Sequence, residues 1–248
     1  MSDVVSGAAE TAETTETTEA TAGPGRNPRR AAAKAVAGAA AVTPPAQNPP
    51  LPVEAMTSRQ LVRRAQLIEA VIDLVREVGP GVIQMRDVAE RSGIALGTVY
   101  RYFSSKEHLL AVALCDWQER LTRRVLMPRA GEEAEVSEDL TERVLSYVRK
   151  EVRGFARNPK IAELMVQVHV SSDPYARDAL ARMAAINDQV MEKLLEGVPP
   201  ERIEPIKYAL GAVLMNSLTY WVTGRTTLPD MTHQVESVTR LVLEHAAD

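Results

Sequence analysis

The sequence predicts an all-α protein in which an N-terminal helix-turn-helix unit precedes a larger helical domain. Three observations predict it. From Ser58 onward apolar residues recur at intervals of three and four, and no run alternates with the period of a strand. Capping residues stand beside proline where helices should start, at Asn158-Pro159 and Asp173-Pro174. Between Gln84 and Lys106 two short helical patterns flank Gly93, in the proportions of a DNA-binding helix-turn-helix.

Residues 1–55 read as a disordered tail of Ala, Thr, Glu and Pro, a composition that cannot bury enough apolar surface to order itself. Arg26, Arg29, Arg30 and Lys34 follow Glu10, Glu13, Glu16 and Glu19 there. They form either a solvated segment or a basic arm that reaches DNA, and the alanines from Arg30 to Val42 suit a transient helix. Residues 56–103 form the helix-turn-helix domain. Its first helix runs from Ser58 to Val78 with Leu61, Ala65, Ile68, Ile72 and Val75 on one face and Thr57-x-x-Gln60 as a capping box. In the motif Val88 and Ala89 face inward, Gly93 supplies a left-handed residue, and Leu96 to Phe103 form the helix that enters a major groove. Val99 and Phe103, four apart, pack inward, and Thr98, Tyr100, Arg101 and Tyr102 remain for DNA. Gly97 lets the backbone approach the duplex and leaves Leu96 for a thymine methyl. The net charge of -4 is no obstacle, because Arg59, Arg63, Arg64, Arg86, Arg91, Arg101 and Lys106 gather in this unit while Glu132, Glu133, Glu135, Glu138 and Asp139 lie beyond it.

Residues 104–248 form the second domain, which opens with a connecting helix over 104–127 and a Ser104-x-x-Glu107 capping box. Lys106 in that first turn opposes the helix dipole, which a phosphate partner explains better than helix stability does. Ser137 is the expected cap of the next helix, and the remaining chain reads as a bundle of about five helices. Gly197-Val198-Pro199-Pro200 separates two of them, with Pro205 blurring the start of the second. The stretch Ala209 to Val222 is apolar around nearly its whole circumference and must be covered on all sides. Val235, Val238, Leu241 and Val242 of the last helix supply part of that cover, and Gly211, Ala212 and Ser217 permit a close crossing.

The run from Gln84 to Lys106 resembles the TetR family of bacterial transcription regulators. The resemblance implies that Thr98, Tyr100, Tyr102 and Lys106 hold phosphates and that Arg86 points toward a base edge. Gln84 and Ala95 depart from the family pattern, since each stands where a hydroxyl usually caps a helix, at a cost of ~1 kcal/mol per cap. The free amides at Ala95 go either to a DNA phosphate or to water. The resemblance also implies a homodimer paired through the last two helices, a near-palindromic double-stranded operator, and a ligand cavity among the middle helices. Candidate lining residues are Met165, His169, Met183, Asn187 and Tyr220, beside Leu164, Val168, Tyr175, Ile186 and Val190, with ordinary core as the alternative. Few charges interrupt these faces, which favours a bulky apolar effector over a small anion. Gln84-Met85-Arg86, Gly97 to Phe103, Arg157-Asn158-Pro159 and Asn216 to Trp221 further resemble actinobacterial repressors of sterol breakdown, implying a sterol-derived or fatty acyl thioester effector.

Other classes fit less well. His108, His169, His233 and His245 have no metal-ligand spacing, and neither Gly-x-Ser-x-Gly nor a phosphate-cradling glycine loop occurs, so no enzyme and no cofactor is expected. A DNA-organising protein without ligand shares the motif but not the cavity. With no run of about 18 apolar residues and no secretion signal, a cytoplasmic location without membrane contact is expected. The single cysteine, Cys115, fits a small core residue in a reducing compartment.

Overall fold

The computed structural model describes residues 49–126, 137, 139–244 and 246. The basic stretch and alanine-rich segment of the tail lie outside these residues, as do Glu132, Glu133, Glu135 and Glu138. The described residues form nine α-helices after a single 3-10 turn at Val53–Ala55. They are α1 (Ser58–Val78), α2 (Met85–Ser92), α3 (Leu96–Tyr102), α4 (Lys106–Leu126), α5 (Leu140–Arg157), α6 (Pro159–His169), α7 (Pro174–Leu194), α8 (Pro200–Val222) and α9 (Leu228–Leu243).

The head is α1 to α3. The Thr57 hydroxyl accepts the Gln60 N–H while the Gln60 side chain accepts that of Thr57, completing the expected capping box. The buried face starts later than the sequence suggests: Leu67, Ile68, Val71, Ile72 and Val75 are buried, whereas Leu61 and Ala65 are exposed. The first two turns of α1 therefore project beyond the core. Arg91 pairs with Glu77 through two hydrogen bonds, fastening α2 to α1.

The bundle is α5 to α9, with α4 joining it to the head. α4 packs along α7, and α1 packs against both α4 and α6. One apolar core therefore runs continuously from Met56 to Ala246, across the 103/104 position where the sequence divides. Arg149 on α5 grips Glu236 on α9 at 2.9 and 3.0 Å, and Arg120 on α4 pairs with Glu69 on α1. The helix expected to begin at Ser137 is capped instead by Asp139, whose carboxylate reaches the Glu142 N–H at 2.7 Å while Ser137 takes the Asp139 N–H. At Asn158 the side chain donates back to the Gly154 carbonyl, so it closes α5 and Pro159 alone starts α6. α8 continues through Pro205, in its second turn, where one lost backbone bond does not end the helix.

Candidate functional site

The turn of the motif is set by local chemistry. Gly93 sits at φ 67° and ψ 16°, a left-handed pose that side chains disfavour, and its N–H returns to the end of α2. Gln84 is better capped than expected, because the Asp87 carboxylate reaches back to its N–H at 2.8 Å. That acid three residues on was the legible signal. Ala95 caps nothing with its side chain. On α3, Val99 is buried, Leu96 and Thr98 are half-buried, and Gly97, Tyr100 and Arg101 are exposed, Tyr100 at 50%. Tyr102 is only 3% exposed, which corrects its assignment as a phosphate contact. One α-helical turn of about 3.6 residues brings positions 99, 102 and 103 to the same inward face.

Arg59, Arg63, Arg86 and Arg101 are exposed and pair with no carboxylate among the described residues, and Lys106 is half-exposed. Two members of the expected basic cluster serve the fold instead. Arg91 is held by Glu77, and half-buried Arg64 lies over the Phe103 ring at 5.4 Å, where burial lowers its pKa. Gly97 has no positive φ, and a Cβ built on it would meet nothing within 4 Å. The fold itself does not require glycine there.

Behind α3 the chain enters α4 through Phe103, Ser104 and Ser105. The cap of α4 is Ser105, one residue later than the sequence suggests: its hydroxyl oxygen accepts the His108 N–H at 2.9 Å. Glu107 therefore falls short of the capping-box position. The Ser105 hydroxyl donates to the Asp173 carboxylate at 2.8 Å, whose other oxygen caps α7 by accepting the Ala176 N–H at 2.9 Å. His108 is sandwiched between Phe103, edge-on at 5.5 Å, and Tyr175, stacked at 5.4 Å, while its Nδ1 accepts the Ser104 N–H. Burial pushes this imidazole down to about 4, so it is neutral at physiological pH.

A cavity of about 230 Å³ lies within the bundle, lined by α5 (Tyr147, Val148, Glu151), α7 (Ala184, Asn187, Asp188, Met191), α8 (Lys207, Leu210, Gly211, Leu214) and α9 (Val235). Of the sequence-predicted lining residues only Asn187 is among them. Met165 is buried in α6, Met183 is packed against the core, His169 is exposed, and Tyr220 is 40% exposed beneath the Arg225 guanidinium. Helical spacing placed these side chains on faces but could not tell which face met the cavity. The missed residues include Tyr147, Glu151, Asp188 and Lys207. Glu151 carried a signal, since it interrupts the buried stripe Val144, Tyr147, Val148, Val152 and Phe155 of α5 with an acid.

The polar lining of the cavity is rich in acceptors. Glu151 is 4% exposed, and burial raises its carboxyl above the usual range against the favourable hydrogen bonds that Gln118 donates and the nearby Tyr147 phenol. Gln118 Nε2 lies 2.8 Å from both carboxyl oxygens, and its Oε1 has no partner among the described residues. Burial likewise raises the Tyr147 phenol, which donates to Asn187 Oδ1 at 3.3 Å. Lys207 bridges Asp188 at 2.8 Å and Glu204 at 2.7 Å, and these hydrogen bonds hold its ammonium above the ordinary range. Cys115 donates to the Ala179 carbonyl at 3.2 Å, and burial pushes its thiol up to about 11, which makes it an inert packing residue.

A short helix with Tyr100 and Arg101 exposed beyond a glycine-closed turn, beside the exposed Arg59, Arg63 and Arg86 of α1 and α2, defines a helix-turn-helix DNA-binding protein, and known proteins agree. Residues 67–113 match the model of bacterial regulatory proteins of the tetR family, and residues 137–242 match the tetracyclin repressor-like C-terminal domain. The HTH-type transcriptional repressor KstR of Mycolicibacterium smegmatis is 30% identical over 74% of this chain and 88% of its own length. KstR of Rhodococcus jostii is 27% identical over 75% and 85%. A TetR transcriptional regulator from Rhodococcus sp. RHA1 superposes with a TM-score of 0.63 at 25% identity, covering 76% of this chain and 99% of that one. The fatty acid degradation regulator FadR of Bacillus halodurans shares the fold, with a TM-score of 0.55 at 22% identity over 74% and 95%. The chain belongs to the TetR family and is a DNA-binding transcription regulator, not an enzyme. No helix among the described residues is long and apolar enough to cross a membrane.

Proposed function

We propose that the protein is a dimeric repressor that holds a near-palindromic operator and is released from it by an apolar effector entering the bundle. The observation that carries the DNA half is Gly97, an exposed glycine in the first turn of α3 that nothing inside the chain demands, flanked by Thr98, Tyr100 and Arg101. Glycine costs up to about 1 kcal/mol against alanine in a helix interior and less in a first turn, and the space its missing side chain leaves suits an external surface, the duplex backbone. Arg86 reads a base edge, Leu96 meets a thymine methyl, and Thr98, Tyr100 and Lys106 hold phosphates, with Arg59 and Arg101 adding positive charge. Dimerisation is supported by α8 and α9, which in one chain leave Tyr208 81% and Leu241 69% exposed beside exposed Ala212 and Tyr220. Repression follows the relatives that are named repressors.

The sterol-derived or fatty acyl thioester class implied by the sequence remains the effector of choice. A cavity of about 230 Å³ is smaller than the ~300–1,000 Å³ of small-molecule sites, so a bulky effector enters only as α7 and α8 part. It thereby binds the rearranged, DNA-incompetent state more tightly, which is the thermodynamic condition for release. The test is an operator titration by fluorescence anisotropy with and without acyl-CoA and sterol candidates. Arg86→Ala should relax base choice at one position by ~1–3 kcal/mol, whereas Lys106→Ala should weaken all sequences and flatten the salt slope by about one unit. Identical behaviour of the two variants refutes the contact assignment, a monomer in light scattering refutes the dimer, and an unmoved titration refutes the effector.

A further inference from the structure

The Asp173 carboxylate stands where two helix N-termini meet. One oxygen accepts the Ala176 N–H and caps α7, and the other accepts the Ser105 hydroxyl, which itself caps α4 through the His108 N–H. A single hydrogen-bonded chain thus runs from the first turn of α4 through a carboxylate into the first turn of α7, and the positive ends of both helix dipoles favour the anion at its centre. Ser105 is separated from the end of α3 by Phe103 and Ser104 alone. Those residues are clamped from the other sides by Arg64 over Phe103 and by the Phe103, His108 and Tyr175 rings. The recognition helix therefore leaves its last turn directly into a joint whose far side is the N-cap of α7. The same α7 carries Ala184, Asn187, Asp188 and Met191 along the cavity, roughly 17 to 27 Å further on at 1.5 Å per residue.

We infer that Asp173 is a positioning residue for DNA recognition: through Ser105 it fixes the recognition helix against α7, although it lies outside the helix-turn-helix and touches no DNA. The inference rests on the DNA-binding reading and not on the effector. Its sign separates it from plain electrostatics. Deleting an acid from a protein that binds a polyanion strengthens binding if charge alone acts. A positioning role weakens it.

The experiment uses the full-length chain and a duplex that the wild-type protein selects from a random-sequence pool, with affinity read by anisotropy at fixed salt. Asp173→Ala and Ser105→Ala are expected to bind about tenfold more weakly, while Ser105→Thr, which keeps the hydroxyl, stays within about twofold. Asp139→Ala is the control, because it deletes the same kind of cap from α5, far along the chain from the motif. It should lower melting temperature to a similar extent and leave operator affinity within about twofold. Should Asp173→Ala not fold, Asp173→Asn retains an oxygen for Ala176 and loses only the anionic acceptor for Ser105, and a weakening of several-fold is then expected. Equal or tighter binding by the Asp173 variants overturns the inference, as does a loss in Asp139→Ala as large as theirs. If the wild-type protein selects no duplex, the DNA-binding reading fails first and this inference falls with it.

Discussion

The helix-turn-helix head and the cavity of the bundle are assembled on different scales of sequence. In the head, Val88, Gly93, Val99 and Phe103 belong to one short stretch, and each is assigned by a local rule of helical spacing, left-handed glycine or four-residue pairing. In the bundle, Tyr147, Asn187, Lys207 and Val235 come from four helices and meet only because of how those helices pack. A site built within one turn of the chain can be read before the fold is known. A site built across four helices needs the fold first.

The largest expected effect tests whether the head is as locally built as it reads. Phe103 is fully buried, and it contacts Arg64 of α1 and His108 of α4, so it belongs to both the motif and the shared core. Phe103→Ala should cost ~3–5 kcal/mol in urea unfolding, the range for a large aromatic lost from a core. A cost below about 1 kcal/mol would show that the head's packing is independent of the bundle.

This contrast explains what the sequence disclosed. The bounds of α1, the turn at Gly93 and the inward face of α2 followed from spacing and caps, and so did the proline starts of α6 and α7, whereas on α3 spacing placed Val99 and Phe103 inward but left Tyr102, which is buried, facing DNA. The departures came wherever two candidates competed for one role. Ser104 and Ser105 are both hydroxyls at a helix start, and only the approach of Asp173 from α7 makes Ser105 the cap. Arg64 and Arg63 are adjacent arginines, and which one leaves the solvent depends on where Phe103 lands. Met165, Met183 and Tyr220 lie on plausible faces, but rotation of a helix by one residue, about 100°, moves a side chain from cavity to core or solvent. Glu151 was the one cavity residue whose chemistry contradicted its surroundings in the sequence alone.

A second, intermediate effect sits at the seam between the two regions. His108 titrates near 4 in the folded protein against an ordinary 6.5, because burial between Phe103 and Tyr175 disfavours the cation. Between those values the unfolded chain binds a proton that the native state does not, so stability falls as pH drops from 6.5 toward 4. The loss should total roughly 3 kcal/mol, at 1.36 kcal/mol per pH unit between the two values, a difference that already includes the opposing pull of the Asp173 carboxylate. His108→Gln should remove this part of the slope while leaving the rest of the acid limb. Parallel unfolding curves for the two proteins at pH 7, 6, 5 and 4 make the comparison, and an unchanged slope would mean that the imidazole is not desolvated at this joint.

The smallest expected effect on stability is the sharpest on function, and it returns to the head. Gly97 lies in α3 with ordinary helical φ, exposed, and open to a Cβ on every side. Nothing in the folded chain repays the conformational freedom that this glycine loses on folding, so Gly97→Ala should stabilise the free protein by up to about 0.5 kcal/mol, the low end of the helix range because the position lies in the first turn. If the open space is where a phosphate backbone passes, the added methyl falls between the helix and the duplex and the operator should bind more weakly. The opposite signs are the diagnostic, because a substitution that merely disturbed the head would lower stability and affinity together. Gly211 in α8 offers the parallel in the bundle: it too is exposed with open space at its Cβ, but it borders the cavity and the uncovered α8 face. Gly211→Ala should therefore spare operator affinity in the dimeric protein while Gly97→Ala reduces it. Thermal melts of both variants, with operator titrations at matched salt, decide the matter. A Gly97→Ala protein that is more stable and binds its operator unchanged would show that α3 does not approach the duplex at this position, and the docking of the recognition helix would have to be turned to present Tyr100 and Arg101 without it.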